Sequence, residues 1–119
     1  MSIFDRFFGR KKAAEIAPEL EQAVLVYLKP HGLPAHVYQE CDLGIIGGRL
    51  RKVIKRERLG LFDGNGIGPD EAILYMYGPD AESLFAGVEA TLRAYPLCQG
   101  ARVVIRRGSH GAEQRELIL

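Results

Sequence analysis

Residues 71–96 read EAILYMYGPDAESLFAGVEATLRAYP, and a change of period inside this stretch decides the fold class. Residues 71–78 (EAILYMYG) are rich in β-branched and aromatic residues and are bounded by Pro69-Asp70 and Gly78-Pro79, which predicts a strand. From residue 79 the repeat becomes helical. Ala81, Leu84, Val88 and Leu92 share one stripe, with Phe85 beside it. Pro79 suits a first helical position, Asp80 and Glu82 sit at the positive end of the helix dipole, and Arg93 sits near the negative end. Pro96 stops the continuation.

The same reading extends outward from this strand and helix. Upstream, residues 23–30 (AVLVYLKP) form a short apolar run closed by Pro30 and predict a buried strand. Residues 31–41 contain His31-Gly32-Leu33-Pro34 and read as an irregular connection. Ile46, Leu50, Val53 and Ile54 then fall on one helical face. Gly47 and Gly48 weaken the start of that helix, so it is predicted over 48–58, with Gly60 as its stop. In residues 61–68 (LFDGNGIG) the run Asp63-Gly64-Asn65-Gly66 reads as turn chemistry at a strand end. Downstream, residues 101–107 (ARVVIRR) predict a strand, 108–113 a Gly/Ser/His loop, and 114–119 (QRELIL) a last strand.

The order from residue 22 is βαββαβ with an additional C-terminal strand. Two strand–helix–strand crossovers joined by a hairpin predict an α+β, ferredoxin-like sandwich with its helices on one face of an antiparallel sheet. Residues 1–21 differ from the rest. Ile3, Phe4, Phe7 and Phe8 recur at helical spacing among Arg6, Arg10, Lys11 and Lys12, predicting an amphipathic arm and linker before a ferredoxin-like domain at 22–119.

The chain has 119 residues, 47% hydrophobic and 26% charged, which suits one soluble domain. Sixteen Lys+Arg against 15 Asp+Glu leave a net charge of +1, without the global basicity of a dedicated nucleic-acid binder. Cys41 and Cys98 are too few for a disulfide scaffold and lack metal-ligand spacing. No apolar run reaches the ~20 residues of a membrane span, and no secretory signal opens the chain. These features predict a cytoplasmic setting.

Strand alternation divides the sheet into two faces. Val24, Val26 and Leu28, Ala72, Leu74 and Met76, and Val103 and Ile105 form apolar sets expected to meet the helices. The opposite face is expected to carry Leu25, Tyr27, Ile73, Tyr75, Tyr77 and Val104, with Lys29, Arg102 and Arg106 around them. Such a patch calls for a cover. The chain's own termini and a second copy of the chain are the leading candidates; nucleic-acid bases stacked on the tyrosines come third. RNA-recognition modules place aromatics comparably, but Asp70-Glu71 stands where their basic opening would be, and it would repel phosphate.

Other groups capable of chemistry are scattered. The glycines of 64–68 precede a strand rather than a helix, unlike a dinucleotide-binding turn. Asp63 and Asn65 resemble alternate ligands of a calcium loop, but Ile67 occupies the next alternate position, so turn formation is the simpler account. His31, His36 and His110 fall in expected loops, with Cys41 and Asp42 near the first two, and Cys98 reads as a small buried residue. No cofactor or metal signature is present. One helix carries Arg49, Arg51, Lys52, Lys55, Arg56 and Arg58 against Glu57 alone. A solvated outer face accounts for this basic patch. With the arm's cations it also suits peripheral contact of residues 1–12 with an anionic membrane, or an acidic protein.

Residues 60–80 (GLFDGNGIGPDEAILYMYGPD), with the acidic-start helix and the Pro-Leu exit after them, resemble a group of small uncharacterised bacterial proteins across about residues 59–107. The opening MSIFDRFFGRKK also looks like a short arm found on unrelated bacterial proteins. These resemblances imply a cytoplasmic bacterial setting and bring no activity. The residues themselves favour a non-enzymatic interaction module that self-associates through Tyr27, Tyr75 and Tyr77. The alternatives are a small hydrolase or transferase, using the Asp63–Glu71 loop or Cys41 and His36, and an immunity-type inhibitor.

Overall fold

The computed structural model describes residues 22–67, 71–108 and 112–119. The expected arm, its membrane contact, Asp70 and His110 lie outside the described residues. The elements in chain order are β1 (Gln22–Tyr27), α1 (Ala35–Glu40), α2 (Leu43–Arg56), β2 (Leu61–Ile67), β3 (Ala72–Gly78), α3 (Ala81–Ala94), a 3-10 turn (Pro96–Cys98), β4 (Arg102–Arg106) and β5 (Gln114–Ile118). This is an α+β fold. The five strands among the described residues form one sheet in the order β2-β3-β1-β4-β5, and every neighbouring pair is antiparallel.

Alternation places the core. Val24, Val26, Leu28, Leu74, Met76, Val103 and Ile105 are buried in the cluster that also holds Ile46, Leu50 and Ile54 of α2 and Leu84, Val88 and Leu92 of α3. Residues one step out of phase point away from the three helices.

Helix α3 begins at Ala81 rather than Pro79, because Asp80 serves as its cap. Its carboxylate accepts from the backbone N–H groups of Glu82 and Ser83 at 3.1 and 3.3 Å. The Gln22 side chain at the start of β1 accepts from the Ala81 N–H at 2.9 Å and ties the helix to the sheet.

The predicted irregular connection at 31–41 instead contains α1. Six residues are too few for a helix to persist by propensity. Burial of Val37 holds it in place. The Tyr38 hydroxyl helps, accepting from the Leu33 N–H at 3.3 Å and donating to the Lys29 carbonyl at 3.1 Å.

Helix α2 starts at Leu43, earlier than its glycines suggest. The Asp42 side chain caps it by accepting from the Gly44 N–H. Tyr95 bridges to the same point, accepting from the Asp42 N–H at 2.7 Å and donating to the Asp42 carbonyl at 3.2 Å. Gly47 is buried against the Phe62 ring, where an added Cβ would lie 3.3 Å from ring carbons. Gly48 meets nothing within 4 Å.

The end of α2 also differs from expectation. Gly60 does not stop the helix. Arg58 does, with φ 55° in the left-handed region that normally selects glycine. The Leu59 N–H donates to the Ile54 carbonyl at 2.9 Å and the Arg58 N–H to the Lys55 carbonyl at 3.3 Å, the paired bonds of a Schellman stop. Gly60 has a different task. A Cβ there would lie 2.0 Å from the Tyr77 carbonyl oxygen, so it lets the chain enter β2 tight against β3.

The turn residues 63–66 lie inside a strand. β2 is an edge strand whose register shifts once between Phe62 and Gly64, so Asp63 forms a bulge while Gly64, Asn65 and Gly66 pair with Tyr75, Leu74 and Ile73. Such a bulge also blunts an exposed edge.

The β4–β5 hairpin is pinned to the first turn of α3. Glu82 accepts from Arg115 at 2.8 and 2.9 Å and from Arg107 at 2.9 Å. Arg115 first, and Arg107 second, hold the Glu82 carboxyl down at about 2, against an ordinary 4.5. A depressed folded pKa contributes stability that is present above the ordinary value and lost as pH falls toward the folded one. Glu82→Gln is therefore expected to lower stability at neutral pH by up to about 1 kcal/mol, since the cluster is solvent-exposed. The gap between the two proteins should close between pH 4.5 and 2, as read by urea titrations across that range. At α2, Gly48→Ala and Arg58→Gly should each raise stability by about 0.5–1 kcal/mol, the first by favouring helix and the second by relieving the left-handed backbone. Thermal denaturation checks both.

Candidate functional site

The face turned away from the helices is a grid set by strand register. Its first row runs Leu61, Tyr77, Ala23, Arg106, Gln114. The second runs Gly64, Tyr75, Leu25, Val104, Glu116, and the third Gly66, Ile73, Tyr27, Arg102, Ile118. Aromatic and aliphatic groups fill the β2–β3–β1 side, and charged groups collect on β4 and β5.

The first row is the more closed. Ala23 is 0% and Tyr77 8% exposed, so Tyr77 offers a partner little ring surface. Val104 in the second row is also buried. Leu25, Tyr27, Ile73 and Tyr75 are half-buried and keep accessible surface. The edge glycine Gly66 makes room for the Tyr75 ring, which lies 3.0 Å from where a Cβ would stand. Ile118 at the far corner is 62% exposed.

The two arginines of the expected cationic rim are already engaged. Arg102 lies over the Tyr27 ring at 4.0 Å from its centroid and 3.6 Å from Glu116. Arg106 Nε donates to the Gly108 carbonyl at 2.8 Å. Lys29 lies beyond the end of β1 and is exposed, with its stem beside Gly32 and Gly100.

The basic patch follows the outer side of α2. Arg49 lies 5.2 Å from the Tyr95 ring centroid and Arg51 5.1 Å from that of Phe62. Arg56 pairs with Glu57 at 3.0 Å. Lys52, Lys55 and Arg58 are exposed and make no ion pair among the described residues. Sequence periodicity places these cations on one helix, but not the groove in which three of them meet. That groove, of about 480 Å³, is lined by Arg51, Lys55, Arg58, Leu61, Phe62 and Pro79, with Ile54 and Gly60 between them.

The described groups suited to enzymatic chemistry lie on separate elements. His31 and His36 are exposed, Asp63 is in the bulge, and Glu71 precedes β3. No side-chain hydrogen bond joins Cys41, His36 or Glu71 to another group among the described residues. Among those residues, no three His, Cys, Asp or Glu side chains are grouped to hold a metal ion. No described helix is long and apolar enough to cross a membrane.

Cys41 and Cys98 are both free thiols. Cys41 borders a groove of about 470 Å³ with Tyr38 and Asp42. Burial, with a lesser contribution from Cys41, pushes the Cys98 thiol up to about 12. Comparison with protein-family models, curated proteins and solved structures finds no match for this chain. Because the thiolate is the reacting species, Cys98 should resist alkylation in the folded protein. Timed labelling with iodoacetamide, followed by mass mapping, should modify the half-buried Cys41 first. Cys98 should react only on addition of denaturant.

Proposed function

We propose that this chain is a non-enzymatic interaction module of ferredoxin-like layout that self-associates through the sheet face bearing Tyr27 and Tyr75. The strand order β2-β3-β1-β4, with every neighbour antiparallel, supports that layout, and β5 extends it at one edge. Two free thiols suit a reducing compartment such as the cytoplasm.

The observation that carries the reading is the accessible apolar cluster of Leu25, Tyr27, Ile73 and Tyr75 at the middle of a face the helices leave uncovered. A second copy suits this face because a two-fold axis brings like patches together. Apolar positions on β1 and β3 then meet their equivalents, while Arg102 and Glu116 remain near the margin. Five strands spaced ~4.8 Å apart and three rows of side chains make a footprint of ~400 Å² per chain. That is about half the ~800 Å² per partner of a standard specific interface, so the dimer is a weak, exchanging one. Nucleic acid fits less well, because Arg102 already lies over Tyr27 where a base would stack.

Sedimentation velocity over a concentration series tests the reading. The protein should move from monomer toward dimer at tens to hundreds of micromolar, the range of weak encounters. Tyr75→Glu should hold it monomeric with little change in thermal stability. A protein that stays monomeric throughout overturns the proposal. If deletion of residues 1–12 then releases self-association, the chain's own arm is the cover.

A further inference from the structure

We propose that the basic groove between the C-terminal turn of α2 and the start of β2 is a second docking site, for an acidic extended peptide of a partner protein. The site adjoins the edge of the tyrosine face at Leu61 but includes neither Tyr27 nor Tyr75. Arg51, Lys55 and Arg58 line it, and no carboxylate does so among the described residues. Leu61, Phe62 and Pro79 give it an apolar floor. Arg51 is held against that floor by stacking on Phe62, so its charge is positioned before any ligand arrives. Lys55 and Arg58 have no ion-pair partner among the described residues.

The backbone at Arg58 adds an independent reason. A Schellman stop takes glycine most readily at the position that Arg58 occupies with φ 55°. An arginine there is strained where glycine would not be, and its guanidinium is one of the groove's three cations. Local strain of this kind concentrates at sites that use the side chain it positions.

A peptide fits better than a membrane because the groove runs along the first residues of an edge strand. Among the described residues β2 is paired only with β3, which leaves its outer main chain at Leu61 and Phe62 for an added strand before the bulge. Main-chain pairing would hold the peptide. An apolar side chain would rest near Phe62, and flanking carboxylates would meet the three cations.

The probe is a short fluorescent peptide of glutamates around one phenylalanine, followed by anisotropy against the full chain. It should bind, weaken with added salt, and lose about tenfold in affinity with Lys55→Glu combined with Arg58→Glu. Arg58→Gly should weaken binding severalfold while raising thermal stability, so the loss does not reflect unfolding. Lys52→Glu, on the same helix but outside the groove, should bind as the parent does. Absence of binding overturns the proposal, as does equal loss with Lys52→Glu. Tighter capture by phosphatidylserine vesicles than by the peptide also overturns it, in favour of a lipid surface. Tyr75→Glu should leave peptide binding unchanged, which separates this site from self-association.

Discussion

One-sided burial of the sheet is the constraint on which the rest depends. Val24, Val26, Leu74, Met76, Val103 and Ile105 are all at 0% exposure, packed beneath α2 and α3. A strand slipped by one residue would turn Tyr27 and Tyr75 inward and expose this set to water. Each buried branched side chain contributes roughly 1.5–3 kcal/mol, so that slip is prohibitive. The face away from the helices follows as a consequence. Its residues have been sorted by what the core excluded.

The two edges of the sheet are protected in different ways. β5 is short and polar, with Gln114, Arg115 and Glu116 exposed. Arg115 is drawn over the helix side by its bidentate contact with Glu82, which fastens the hairpin as well as charging the edge. β2 relies on backbone irregularity instead, a single register shift at Asp63 between the pairs Phe62–Met76 and Gly64–Tyr75. Its first residues lie beside the cations of α2.

Glycine use in the middle of the chain reflects tight packing more than flexibility. Gly47 admits the Phe62 ring, and Gly60 admits the Tyr77 carbonyl. These contacts fasten α2 to β2 and β2 to β3, so the groove is built on a rigid corner. Arg58 breaks the pattern at that same corner by taking a conformation that glycine would hold more cheaply.

Local repetition determined much of this architecture. Alternation in 23–28, 72–77 and 103–105 set the strand faces, and helical spacing from Ala81 to Leu92 marked α3, because both patterns are written in consecutive side chains. Contacts between distant segments decided the rest. Helix α1 exists because Val37 finds a buried site, and the early start of α2 depends on Asp42 meeting Tyr95 across 53 positions. The turn-like 63–66 became a bulged strand because β3 was there to pair with it. Arg51, Lys55 and Arg58 join Phe62 and Pro79 in one groove only after helix and strand have docked. Periodicity fixes which way a side chain points within its own element, whereas its neighbours across the fold depend on how elements pack, a relation between segments that no local pattern encodes.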